Sequence, residues 1–167
     1  SLIALPGIPE VQPGDDVGRL LLAALDGGGI SLRDGDILAV AQKIVSKAEG
    51  RLVILADVQP GERAIELAAK TGKDPRVMEL ILSESEEVSR LRPGVIIVRH
   101  RLGFTSANAG IDRSNVAPDG EERVLLLPVD PDSSARHIRE TIMEERGVMV
   151  GVVITDSHGR PFRLGTV

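Results

Sequence analysis

The side chains best suited to chemistry lie in two acidic loops, one around Asp112 and one around Asp156. In the first loop, small residues precede Asp112, and amide side chains stand nearby at Asn108 and Asn115. Small residues let the backbone approach a ligand closely, and carboxylate and amide oxygens are the ligands that Mg²⁺ prefers. The pattern predicts a metal site. A polar turn in which Asn and Asp bond their own backbone would use the same residues, and that alternative stays open.

The second loop directly follows an apolar run over residues 148–154. A carboxylate such as Asp156 at the carboxyl end of a strand, next to the Ser157 hydroxyl, is a common place for a metal ligand. An ordinary hairpin turn would contain the same residue types. His158 is a weaker candidate for a ligand or general base. His100, at another predicted strand end between two arginines, is predicted to belong to an edge that attracts anions.

Three basic residues form a third cluster, at Lys43, Lys47 and Arg51. Residues 42–50 are predicted to form a polar loop after a strand. If the segment were instead a helical turn, the spacing of four would place Lys43 and Lys47 on one side, facing an anion. A solvated basic face is the alternative.

The elements that must position these residues are helices and strands in mixed order. Strands are predicted over residues 2–5, 36–40, 51–56, 94–99, 124–129, 148–154 and 163–167, and helices over 17–25, 60–72, 74–88 and 130–147. Because the two types do not strictly alternate, we predict a mixed α/β (α+β) fold with a mixed, partly antiparallel sheet and flanking helices. The glycine-rich signatures of P-loop and Rossmann folds are absent from the sequence.

The composition excludes several classes of protein. Hydrophobic residues make up 42% and charged residues 27% of the chain, as in ordinary globular domains. The net charge of −5 and the near absence of aromatic residues argue against a nucleic-acid partner. No cysteine is present for a disulfide, a catalytic thiolate or a zinc site. No apolar run reaches the ~18 residues that would span a membrane, so a cytoplasmic protein is expected.

Four segments occur in a fixed order, and together they are far more specific than any one of them. They are residues 42–51 (QKIVSKAEGR), 108–115 (NAGIDRSN), 126–132 (LLPVDPD) and 154–160 (ITDSHGR). In this order and spacing they resemble the coenzyme F-420 γ-glutamyl ligase family. The resemblance runs over essentially the whole chain, from Leu5 to Gly165.

The resemblance implies an enzyme that uses GTP to add L-glutamate to the phospholactate end of the deazaflavin precursor of coenzyme F-420, through an acyl phosphate. It also implies Mg²⁺ or Mn²⁺, with K⁺ as a further candidate ion, and a homodimer. Two alternatives stay open: a metal-dependent phosphohydrolase that uses the same two carboxylates, and a non-catalytic nucleotide-binding or assembly domain.

The resemblance further assigns roles to individual residues. It implies that Asp112, Asp156 and Ser157 bind metal. The positions that it implies for contact with the guanine nucleotide are Leu5, Pro6, Gly7, Ile8, Gln42, Lys43, Lys47 and Asn115. Because members of the family are longer, residues 1–167 are expected to form one ligase domain that lacks its C-terminal third.

Overall fold

A computed structural model of the chain describes residues 1–113 and 120–156. Its helices are α1 (Val17–Gly27), α2 (Gln42–Ala48), α3 (Glu62–Thr71), α4 (Pro75–Ser83) and α5 (Pro131–Arg146), with short 3-10 turns at Leu55–Asp57 and Asn108–Gly110. Its strands are β1 (Ile37–Ala41), β2 (Leu52–Ile54), β3 (Ser85–Arg92), β4 (Val95–His100), β5 (Thr105–Ala107), β6 (Arg123–Leu125) and β7 (Gly151–Thr155). Parallel and antiparallel pairs both occur, which confirms the predicted mixed α/β class.

Two compact units make up the described chain, and each has its own hydrophobic core. The first unit combines Ser1–Arg51 with Leu127–Asp156, and the second is formed by Leu52–Leu126. The assignment of residues 1–167 to one ligase domain stays a prediction. Within the described ranges, no helix is long and apolar enough to cross a membrane.

The first unit packs α1, α2 and α5 against the parallel pair β1–β7. Asp130 caps the start of α5 by accepting a hydrogen bond from the Ser133 backbone at 3.0 Å, and Gly147 ends that helix in a left-handed conformation. Gly18 allows α1 to approach α5 closely, because a Cβ there would lie 2.8 Å from the Thr141 Cβ. Buried Leu, Ile and Val side chains fill the space between these helices and the strands.

The second unit packs α3 and α4 against strands. Its antiparallel sheet has the order β3-β4-β5, and a separate antiparallel pair joins β2 to β6. Leu67, Met78, Ile81, Ile96 and Val98 are the centre of this core, each at most 2% exposed. Aliphatic side chains therefore build both cores, as the lack of aromatic residues in the sequence requires.

Three predicted elements are wrong. Residues 2–5 form no strand, and Leu2 is fully exposed. The predicted polar loop at 42–50 is largely helix α2, because burial of Val45 against the core of the first unit stabilises a helix too short to form alone. The helix predicted to reach residue 88 ends at Ser83, and Val88 lies in β3. The strand predicted at 163–167 lies outside the described residues.

Candidate functional site

Strands β1 and β7 end side by side in the first unit. Ala41, the last residue of β1, is paired in parallel with Thr155, the last residue of β7. The Thr155 hydroxyl donates a 3.5 Å hydrogen bond to the Val40 carbonyl across the pair. The next residues, Gln42 and Asp156, therefore leave the sheet at the same edge. The carboxyl ends of parallel strands are where α/β proteins commonly bind their ligands.

Helix α2 begins at this edge and carries the basic residues predicted from the sequence. Lys43 and Lys47 are one turn apart, so the helical alternative for this segment is confirmed. The Lys47 side chain is 32% exposed, and its ammonium lies 4.0 Å from the Glu10 carboxylate. The Ser46 hydroxyl donates a 2.8 Å hydrogen bond to the side-chain oxygen of buried Gln42. That bond fixes the orientation of the Gln42 amide, with its oxygen toward Ser46 and its nitrogen left as the hydrogen-bond donor.

The turn at residues 5–8 lies in the same unit. Leu5 and Ile8 pack, partly buried, against the core of that unit, while Pro6 and Gly7 between them are exposed. Gly7 has a φ of +80°, which is the left-handed region where side chains other than glycine are strained. The turn therefore presents its central backbone to solvent between two anchored ends.

Asp112 belongs to the second unit, where a tightly fixed backbone holds it. Its amide donates to the Leu125 carbonyl at 3.0 Å, and its carbonyl accepts from the Leu125 amide at 2.9 Å. Before it, Asn108 and Ala109 have φ values of 53° and 54°, and Ala109 is completely buried. Left-handed conformations outside glycine cluster at functional sites, where surrounding packing maintains them. The Asp112 side chain itself is half-buried.

Sequence reasoning missed a basic group near this loop. Burial, and then repulsion from Arg113, hold the pKa of Lys73 below its ordinary value. Hydrogen bonds from Arg76 lower the pKa of the neighbouring Asp74 carboxyl, although burial opposes that shift. Lys73 and Arg113 are far apart in the sequence, so their spacing gave no signal.

His100 is not part of an exposed anion-attracting edge, and that prediction is wrong. Its side chain is fully buried, and its ring stacks on Phe104 with 4.9 Å between centroids. Its Nδ1 accepts a 3.0 Å hydrogen bond from the Leu102 amide, and its Nε2 lies 3.6 Å from the Glu84 carboxylate. The antiparallel pairing of β4 places the His100 side chain on the core face of the sheet, where burial outweighs the effect of its charged neighbours.

The metal-binding assignments stay predictions. Asp156 is exposed directly after β7, whereas Ser157, His158 and Asn115 lie outside the described residues. Among residues 1–113 and 120–156, no group of three or more His, Asp or Glu side chains is placed to hold a metal. Mg²⁺ often takes only one or two carboxylates and completes its shell with water and phosphate. Asp112 and Asp156 belong to different units, and each has the kind of carboxylate that such an ion takes.

The first unit thus has an α/β architecture. Amide, ammonium and carboxylate side chains follow directly after the carboxyl ends of its parallel strand pair. A model of the F420-0:gamma-glutamyl ligase family matches residues 7–167. The chain belongs to this family.

Curated relatives named coenzyme F420:L-glutamate ligase agree with this assignment. The protein of Methanothermobacter thermautotrophicus is 47% identical over the whole chain, which covers 65% of that relative. The protein of Methanopyrus kandleri is 49% identical over 95% of the chain and 60% of its own length. That of Archaeoglobus fulgidus is 44% identical over the whole chain and 64% of its own length. The chain therefore spans less than two thirds of these relatives.

Proposed function

We propose that this chain is part of a GTP-dependent ligase that adds L-glutamate to the phospholactate end of the deazaflavin precursor of coenzyme F-420. Membership of the family and the names of the relatives support the ligation of L-glutamate. The register of Ala41 with Thr155 carries the structural side of the proposal, because it brings Gln42, Lys43 and Asp156 to one edge.

The reaction proceeds in two steps in this proposal. A carboxylate oxygen of the acceptor attacks the γ-phosphorus of GTP, the bond to the β-phosphate oxygen breaks, and GDP leaves with that electron pair. The product of this first step is an acyl phosphate. The glutamate amine, after losing a proton to a base, then attacks the carbonyl carbon of that acyl phosphate. Inorganic phosphate leaves with the electrons of the carbon–oxygen bond and takes up the second amine proton, so that an amide remains.

This chain's own residues bind and position the phosphates. Lys47 and Lys43 supply positive charge on one side of α2, which offsets the repulsion between the anionic nucleotide and a chain of net charge −5. Gln42 donates from its amide, and the turn at residues 5–8 with Asn115 completes the nucleotide contacts. Asp112, Asp156 and Ser157 would hold Mg²⁺ or Mn²⁺, with K⁺ as a further candidate ion. A divalent ion held there would supply positive charge to offset the charge of the transferred phosphoryl group.

Phosphate release by the full-length enzyme tests this function. We expect release from GTP only when L-glutamate and the deazaflavin precursor are both present, with one amide formed per phosphate. Release from GTP alone would indicate a metal-dependent phosphohydrolase instead. Saturable GTP binding without turnover under any combination would indicate a non-catalytic nucleotide-binding domain.

Two matched lysine variants show whether the proposed edge is responsible. Lys43→Ala removes a cation from the first turn of α2, whereas Lys70→Ala removes an exposed cation from α3 that pairs with Glu66. We expect the first variant to raise the KM for GTP and the second to leave it unchanged. Equal effects of the two variants on the KM for GTP would contradict the proposed role of this edge. We also propose that the full-length protein is a homodimer, which light scattering at micromolar concentration tests.

A further inference from the structure

The parallel pair β1–β7 has one buried face and one open face. Leu38, Val40, Val152 and Ile154 point into the core of the first unit. The alternate residues are all exposed and all uncharged: Ile37, Ala39 and Ala41 on β1, and Gly151, Val153 and Thr155 on β7. Met149, just before β7, continues the same alternation and is 65% exposed. We call these seven residues the open face.

The composition of the open face is not that of a solvated surface. Ile37 is 70% exposed and Val153 is 49% exposed, and no Lys, Arg, Asp or Glu separates them along either strand. Antiparallel sheets often have one wet face, but parallel sheets are covered on both faces and their strands read as continuous apolar runs. Residues 37–41 (ILAVA) and 148–154 (VMVGVVI) read in that way. We therefore expect both faces of this strand pair to be covered by other parts of the protein.

We propose that the open face is covered, in the full-length protein, by the portion of the polypeptide that the present chain lacks relative to its relatives. The 167 residues amount to 65% of the Methanothermobacter relative, so about 90 residues of that length lie outside the match. A five-residue strand is about 17 Å long, and a helix of about 11 residues covers that distance. The remaining length is thus ample for one or more covering elements.

A covalently attached segment is a better occupant than a second copy of the chain. Attachment to the same polypeptide gives the segment an effective concentration in the millimolar range, far above that of a separate protomer in the cell. Small side chains on the open face, at Ala39, Ala41 and Gly151, allow an approaching helix or strand to come close to the sheet. The covering element must present an apolar stripe to Ile37, Val153 and Met149.

Methionine oxidation in the wild-type full-length protein tests this inference without any substitution. The chain has three methionines, and two of them are natural references. Met78 is fully buried, and Met143 on α5 is 47% exposed. With dilute hydrogen peroxide and peptide mass spectrometry, we expect Met149 to oxidise at least tenfold more slowly than a free methionyl peptide and close to the rate of Met78. Oxidation of Met149 at the free-peptide rate would overturn the inference.

Photo-crosslinking identifies the occupant. Photo-methionine incorporated throughout the full-length protein places a reactive group at Met149. A cross-link from Met149 to sequence outside the present 167 residues, within a polypeptide of monomer mass, supports the inference. A cross-link from Met149 to a second copy would overturn it and assign the open face to a subunit interface. Neither readout depends on GTP or glutamate, so failure here is distinguishable from failure of the proposed ligase activity.

Discussion

Ala41 and Thr155 are partners in the parallel pair of the first unit, although more than a hundred residues separate them along the chain. Each is the last residue of its strand, so the segments that begin at Gln42 and at Asp156 start from adjacent positions. This pairing brings together two segments, one basic and one acidic, that say little about function when each is taken alone. Both segments begin at the carboxyl ends of the same pair of strands.

Replacing Asp156 by Asn should weaken metal binding while leaving the fold intact. Asn keeps the size of the side chain but removes the charge that a divalent ion requires. We expect the affinity for Mn²⁺, measured by electron paramagnetic resonance with GTP present, to fall about tenfold or more, which corresponds to ~1.4 kcal/mol or more. Because Asp156 is exposed, the free energy of unfolding should hardly change.

Asp57→Asn is the matched control for that experiment, since Asp57 is also an exposed aspartate but lies in the 3-10 turn of the second unit. It should leave the Mn²⁺ affinity unchanged. If Asp156→Asn behaves like the control, Asp156 is a turn residue and its metal-binding role is wrong.

The sequence predicted the strands of this edge but not their pairing. The apolar runs at 36–40 and 148–154 are local signals that any buried strand produces, and both became strands. Which strand lies beside which is set by packing across the whole unit, and no residue in either run encodes it. Helix α2 was missed for a related reason: its seven residues are mostly polar, and only tertiary burial of Val45 and Ser46 makes them helical.

Replacing Lys47 by Ala should weaken nucleotide binding. We expect the Kd for GTP of the full-length protein to rise about tenfold, as for loss of a charged contact of ~1.4 kcal/mol. Isothermal calorimetry at two salt concentrations measures it, and the difference from wild type should shrink at the higher concentration because salt screens the charge. Lys70→Ala, on the exposed side of α3, should stay within twofold of wild type. An unchanged Kd for Lys47→Ala would mean that Lys47 is a solvated surface residue with no role in nucleotide binding.

The loop before Asp112 gives a prediction about stability. Ala109 is fully buried with a φ of 54°, so its backbone is strained and its side chain is enclosed by protein. Ala109→Val adds two methyl groups and β-branching where both are unfavourable, and should lower the free energy of unfolding by about 2 kcal/mol or more. Ala109→Gly removes the strain but also one buried methyl group, so the net change should stay within about 1 kcal/mol.

Ala107→Val is the control for that pair, because Ala107 is exposed in strand β5 only two residues away. Valine suits an exposed strand position, and the stability should change by less than about 0.5 kcal/mol. Urea denaturation of all three variants measures these differences. The loop is not strained if Ala109→Val is tolerated as well as Ala107→Val. No glycine marks position 109, which is why the sequence alone gave no hint of this conformation.

The N-terminal cap of α4 should make the stability of the protein depend on pH in the acid range. Asp74 accepts a 2.8 Å hydrogen bond from the Arg76 amide and a 2.6 Å contact from the Arg76 guanidinium. These hydrogen bonds hold the pKa of the Asp74 carboxyl in the folded protein below its ordinary value. A lowered folded pKa means that the charged form stabilises the fold.

The sign of the effect follows from this shift. The contribution of Asp74 is fully present above the pKa that the carboxyl has in the unfolded chain, about 3.9, and it is lost as the pH falls through the lower folded value. Asp74→Asn keeps an acceptor for the cap but has no charge to lose, whereas Asp74→Ala also removes the cap, at a cost of about 1 kcal/mol. We therefore expect the stability difference between wild type and Asp74→Asn to be constant from pH 5 to pH 7. The difference should shrink below about pH 4.

Urea denaturation at half-unit steps of pH measures this difference in stability, with Asp57→Asn as the control for loss of one negative charge. A difference that stays constant down to pH 2.5 would show that the Asp74–Arg76 contact does not stabilise the charged carboxylate.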